Sequence, residues 1–173
     1  MNKRNLIILI VVVLAIVALS CFYALDLNSS GDDNSTDSDA DTINFKGMAF
    51  RIPEGFIEDS TNRNSKKIDG ITYSTTIKNY YRENKTISIL VAEHENYTIT
   101  DEIVKLDSNG TKENINGISG YLKYNPAKTN QFITSNSVVT MKIPSYYTFN
   151  YEKDGKLVSI AVSDKNLLSE ILI

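Results

Sequence analysis

Cysteine is nearly absent from the chain: Cys21 is the only one among 173 residues. It lies in an apolar run near the N-terminus, so the rest of the chain has no thiol for a disulfide and depends on an ordinary hydrophobic core. Histidine is equally scarce, with His94 alone. Nucleophilic triads need an imidazole beside a Ser or Cys, and zinc sites usually draw on several His or Cys ligands, so either chemistry in the domain would depend on His94 alone and on no Cys. Excess positive charge is missing too. From Ile43 onward 16 Lys and Arg stand against 15 Asp and Glu, which excludes the clustered basic footprint that nucleic-acid binding requires. No internal repeat at a fixed period is visible, which argues against solenoids and propellers.

What is present divides the chain between two solvents. Leu6 to Leu25 contains no charged residue, and at about 1.5 Å rise per residue such a run spans a hydrocarbon core of about 30 Å as a helix that satisfies its own backbone. Lys3 and Arg4 precede it, whereas Asp26, Asp32 and Asp33 are the first charges after it. The positive-inside bias therefore puts residues 1–5 in the cytoplasm and the C-terminal part outside the cell. An uncleaved signal anchor is the expected fate, because the run exceeds the apolar core of a normal signal peptide. Cleavage after Ala18-Leu19-Ser20 and lipid attachment at Cys21, within a lipobox-like Ala18-Leu19-Ser20-Cys21, are the alternatives.

Residues 26–42 form an acidic tether. Asn28 to Thr42 is Ser, Asp, Asn, Thr and Gly with almost no apolar side chain, too little to offset the entropy of ordering. Its like charges should keep it extended and hold the following domain off the membrane. The spacing Asp37-x-Asp39-x-Asp41 resembles a calcium loop only superficially, since Thr42 stands where the turn Gly is needed and Met48 where the bidentate Glu would be.

Residues 43–173 read as one domain, large enough to bury a core. The apolar period is two over Met48 to Ile52, Ile71 to Lys78 and Thr86 to Glu93, which predicts strands, the last two joined as a hairpin by the turn at Arg82-Glu83-Asn84-Lys85. Ser60 to Gly70 is polar and reads as a loop. Thr100, followed by Asp101 and Glu102, predicts a short helix that Asn109-Gly110 ends. Asn116-Gly117 predicts a tight hairpin between Thr111 to Ile115 and Ile118 to Tyr124. Val138 to Ile143 and Tyr146 to Glu152 read as a strand pair around Pro144-Ser145, and Lys153 to Lys156 turns the chain into Leu157 to Ser163. Asp164 opens a last helix, in which Leu167 with Ile171 and Leu168 with Leu172 present one apolar face. The expected class is α+β: an antiparallel β-sheet with a short internal helix and a C-terminal helix, preceded by one N-terminal transmembrane helix.

Two stretches carry a family resemblance. Phe50-Arg51-Ile52-Pro53-Glu54-Gly55-Phe56, a strand entering Pro-x-Gly-aromatic, resembles the opening of PsbP-like domains, with Phe56 in place of their usual Trp. Phe149 to Ile160 followed by a terminal helix resembles their last hairpin and helix. The whole chain is also similar to small membrane-anchored surface proteins of methanogenic archaea. The PsbP-like resemblance implies an antiparallel sheet flanked by helices and a non-catalytic, extracytoplasmic accessory or binding role. It transfers no functional residue.

Several groups are weighed for function. Glu93-His94-Glu95 offers one imidazole and two carboxylates, a set some divalent ions accept, but strand alternation puts His94 on the opposite face from its neighbours. Glu93, Glu95, Asp101 and Glu102 are close enough in sequence to suggest a glycosidase-like carboxylate pair, for which spacing alone is insufficient. The tyrosine pairs Tyr80-Tyr81 and Tyr146-Tyr147 should each place one ring outward, where a phenol stacks on a sugar or anchors a protein. Asn28, Asn34, Asn84, Asn96 and Asn109 begin N-x-Ser/Thr sequons, suited to glycosylation on an outward-facing domain. The expectation is a non-catalytic, single-pass envelope module without cofactor or metal. It would contact the lipid bilayer and bind an envelope polysaccharide or a membrane protein; an accessory subunit of a membrane complex and an envelope hydrolase are the alternatives.

Overall fold

The computed structural model describes residues 40–68, 71–133 and 138–173. The expected membrane segment, Cys21, Asn28, Asn34 and the tether up to residue 39 lie outside them. Among the described residues no helix is long and apolar enough to cross a membrane.

Strands β1 (Asp41–Phe45) and β2 (Met48–Ile52) form a hairpin, followed by β3 (Ile57–Ile68), β4 (Ile71–Arg82) and β5 (Lys85–His94). Helix α1 (Asp101–Ser108) leads into β6 (Thr111–Ile115), β7 (Ile118–Asn125), β8 (Lys128–Ile133) and β9 (Val138–Ile143). Strands β10 (Tyr146–Lys153) and β11 (Lys156–Val162) and helix α2 (Leu167–Ile171) close the chain. A seven-stranded sheet in the order β3-β4-β5-β11-β10-β7-β6 is the centre, with every pairing antiparallel. The hairpins β1–β2 and β8–β9 form separate two-stranded sheets. The expected α+β class with its two helices is therefore found.

Strands β5 and β11 lie at the middle of the sheet and are buried on both faces. Ile87, Ile89, Val91, Val158 and Ile160 pack on one side against Phe45, Met48 and Phe50 of the first hairpin and Leu167, Leu168, Ile171 and Leu172 of the C-terminal segment. A lone bridge from Phe50 to Leu172 joins these two covers. On the other side Leu90, Ala92, Leu157 and Ala161 meet Ile103 and Val104 of α1. Each large side chain so buried contributes about 1.5 to 3 kcal/mol, which accounts for a stable fold without a disulfide.

The turns follow side-chain chemistry. Lys46-Gly47, Asn116-Gly117 and Asp154-Gly155 each have positive φ at both residues, the conformation whose twist suits a two-residue hairpin. Asn109 ends α1 in the left-handed region at φ 46°, as its short polar side chain permits.

Four sequence expectations are corrected. Asp41 and Thr42, assigned to the tether, belong to β1 and pair with Ile52 and Arg51. Ser60 to Gly70, read as a loop, falls largely in β3, an edge strand whose polar residues pair with β4 through the backbone. Val138 to Ile143 does not pair with Tyr146 to Glu152: β9 takes β8 as its partner, and β10 lies between β7 and β11. Thr100 precedes α1 without a side-chain cap bond; its carbonyl instead accepts from the Ile103 and Val104 amides at 3.0 and 3.1 Å.

Candidate functional site

The end of the sheet carrying the β1–β2 and β10–β11 turns holds a cleft of about 500 Å³ lined by residues including Thr72, Ser74, Glu93, His94, Tyr97 and Lys156. The chain from Glu95 to Thr100 forms one wall. It is fastened by the Glu95 amide donating to the Thr72 carbonyl at 3.2 Å and the Ile99 amide donating to the Gly155 carbonyl at 2.9 Å. A Cβ on Gly155 would come within 2.9 Å of Thr98 Cγ2, so this approach of wall to turn needs a residue without a side chain.

Glu93 is the electrostatic centre of the cleft. Lys46 Nζ donates to its Oε1 at 2.7 Å, Ser74 Oγ donates to the same oxygen at 3.2 Å, and Lys156 Nζ lies 3.4 Å from Oε2. Lys156 also donates to the Lys46 carbonyl at 3.1 Å. The hydrogen bond from Lys46 is the main reason the Glu93 carboxyl is held below its ordinary range, against the opposing effect of burial. The carboxylate therefore stays ionised at neutral pH.

His94 faces the other way. Its cross-strand partner is Tyr73, while that of Glu93 is Ser74, so alternation separates the two as expected. The imidazole sits edge-on between Tyr73 at 4.5 Å and Tyr97 at 5.9 Å between ring centroids. Its Nδ1 is buried without a hydrogen-bond partner, and burial lowers its pKa, so the ring is neutral at pH 7. Among the described residues no group of three or more His, Cys, Asp and Glu is placed to hold a metal ion.

Of the acids considered for hydrolysis, Asp101 and Glu102 lie away from Glu93. Asp101 accepts from the Tyr121 hydroxyl at 2.9 Å and lines a different cleft of about 580 Å³ with Lys112, Tyr151 and Glu152. Glu102 is exposed on α1, and Glu95, also exposed, lines the same cleft as Glu93.

The members of the first tyrosine pair take opposite faces of β4, as alternation predicts. Tyr80 is a core residue, 4% exposed, and its hydroxyl donates to Glu58 at 3.4 Å. Its ring is out of reach of a ligand, because it lies on the face of β4 covered by the first hairpin. Tyr81 is half-buried on the opposite face, and Tyr146 is half-buried against the cluster beneath α1. Tyr147, also half-buried, packs at 5.1 Å on Tyr124, a ring 54% exposed that sequence reasoning missed. Lys46 and Lys156 were missed as well, since nothing local marks a lysine as the partner of a distant carboxylate. Asn84, Asn96 and Asn109 are exposed, which suits the sequon reading sterically.

No family model, no curated protein and no solved structure matches the chain.

Proposed function

We propose that the chain is a non-catalytic module of the cell envelope, anchored through residues 6–25, that binds a hydroxyl-rich surface polymer, a polysaccharide, in the His94 cleft. The observation that carries this reading is Tyr97: its ring is 37% exposed and braced edge-on by His94 at the mouth of a cleft bearing the hydroxyls of Thr72, Ser74 and Thr98. Sugars are bound by such a combination, an aromatic ring under the C–H face and short polar groups around the hydroxyl rim. Binding is favoured over hydrolysis because Glu93, ionised and held by two lysines, has no proton to donate to a leaving group. The PsbP-like resemblance supports the same non-catalytic class.

The test uses the full-length protein in detergent, titrated with polysaccharide fractions of the envelope. Binding should be saturable and should weaken about ten-fold in Tyr97→Ala, a loss of the size expected for one aromatic anchor. Absence of binding to every fraction, or full affinity in Tyr97→Ala, overturns the reading.

A further inference from the structure

The opposite end of the sheet has its own character. Strand β1 begins there, with Asp41 opposite Ile52. The exit of β2 is tied to the β4–β5 turn by Arg82, whose guanidinium lies 4.7 Å from the Phe56 ring centroid and donates to the Glu54 carbonyl. Strand β7 leaves the sheet at this end and β10 enters it, with Asn125 opposite Tyr146. The first residue of β1, the Tyr124–Tyr147 pair and the base of the β8–β9 hairpin therefore share one end, and the His94 cleft occupies the other.

Charge is mixed at this end, where Asp41, Glu54 and the Lys85-paired Asp164 beside Tyr147 lie, but the segment that brings in β7 to β10 is basic. From Asn114 to Tyr151 the sequence contains Lys123, Lys128 and Lys142 and no acid, in a domain otherwise close to neutral. Tyr124, Pro126, Ala127, Lys128, Lys142 and Pro144 are exposed. Lys128 stands opposite Ile143 and Thr129 opposite Lys142, so the two lysines sit at neighbouring register positions at the hairpin base. Exposed tyrosine with adjacent lysine is the composition of a membrane interface, where the phenol lies at headgroup level and the ammonium meets lipid phosphate.

The tether makes that contact reachable. Residues 26–40 can span at most about 50 Å when fully extended. Confinement this close to a surface gives the domain an effective concentration on the order of millimolar, so weak lipid affinity suffices to dock it. The end distant from the tether lies a further strand length away, roughly 23 Å for seven residues.

We infer that the end bearing Tyr124, Tyr147, Lys128 and Lys142 docks on the anionic lipid surface in which the chain is anchored, turning the His94 cleft away from the membrane. This rests on the anchor reading proposed above. It runs against the expectation that the acidic tether holds the domain off the membrane, a repulsion that the tyrosine and lysine contacts must exceed.

The chain contains no tryptophan, so a single introduced indole reports its own surroundings. Full-length Tyr124→Trp and, separately, Tyr97→Trp are reconstituted into phosphatidylcholine vesicles with and without phosphatidylglycerol, using brominated acyl chains as quenchers. Flotation of the vesicles reports the anchor independently. With the anchor holding, emission of the Tyr124→Trp protein should be blue-shifted and quenched in anionic vesicles, and Tyr97→Trp should be neither. Adding Lys128→Gln and Lys142→Gln should lower the ratio of docked to undocked protein about five-fold per lysine. Blue-shifted emission without bromolipid quenching would mean the ring is covered by protein and overturns the inference. So does unquenched emission in protein that floats. Protein that fails to float removes the anchor reading, and this inference with it.

Discussion

Lys46, in the turn of the first hairpin, and Glu93, at the end of the fifth strand, meet at 2.7 Å across 47 residues of sequence. The contact fastens the β1–β2 cover onto the sheet at the edge of the His94 cleft. Both side chains are about one-third exposed, so the pair is screened and its worth is modest. Its larger consequence is positional, since Lys156 joins the same carboxylate from the β10–β11 turn.

Glu93→Gln should lower stability by about 1 kcal/mol at pH 7, because the ion pairs become neutral hydrogen bonds at a screened site. The carboxyl has a folded pKa below its ordinary 4.5, so its contribution is complete above that value and lost as pH falls through the lowered one. Chemical unfolding of wild type and variant should thus differ at pH 7 and converge in acid. A constant difference down to acid pH would show that the glutamine acts through packing and not through charge.

Asp107 runs the other way. On α1, facing the sheet, it is pushed up to about 7 by burial, against the attraction of Lys123. Its Oδ1, like Asn150 Oδ1 and Ser159 Oγ, is buried without a hydrogen-bond partner. A carboxyl that binds its proton more tightly when folded stabilises the fold below the unfolded value of 3.8 and loses that contribution as pH rises toward 7. Asp107→Asn should flatten this slope and be more stable than wild type at pH 8 by about 1 to 2 kcal/mol, allowing for partial exposure. Thermal unfolding from pH 4 to pH 8 is the measurement, and parallel curves for the two proteins would refute the assignment.

The sequence made local pairings legible and distant ones illegible. The β4–β5, β6–β7 and β10–β11 hairpins follow from alternation on either side of a turn, information contained in about twenty residues. Strand β3 was hidden because an edge strand needs no apolar face, and its Asn, Arg and Lys residues look like those of a loop. The error over β9 and β10 has the same origin: two strands flanking Pro144-Ser145 suggest a hairpin, whereas the choice of β7 as partner is made by Leu122 and Phe149, which share a face in the core. At the cleft, Glu93-His94-Glu95 stood out as a cluster and alternation gave the correct facing. Its lysines and its Thr98 wall are tertiary facts that no short window contains.

Asn116 has two tasks that substitution can separate. It holds φ at 51° in the β6–β7 turn, and its Nδ2 donates to the Ser169 and Leu172 carbonyls at 2.7 and 2.8 Å, closing the C-terminal end of α2. Glycine accepts that φ without strain, so Asn116→Gly removes the capping bonds and leaves the turn. It should cost about 1 to 2 kcal/mol and raise amide exchange around Leu172 while leaving β6 and β7 protected. Uniform loss of protection across both strands would place the effect in the turn instead.

Gly120 and Gly117 lie three residues apart and fail for different reasons. A Cβ on Gly120 would fall 2.6 Å from Phe149 Cζ and 2.7 Å from the Asn150 carbonyl oxygen. Phe149 is fully buried, so the ring has nowhere to retreat, and Gly120→Ala should cost about 2 to 4 kcal/mol through overpacking. Gly117 has open space around it and φ of 86°, so Gly117→Ala meets only backbone strain, about 1 kcal/mol. Adding Phe149→Leu should restore part of the loss in Gly120→Ala and none of that in Gly117→Ala. Equal losses in the two alanine variants, with no rescue by leucine, would mean that close packing of β7 on β10 is not what requires glycine at position 120.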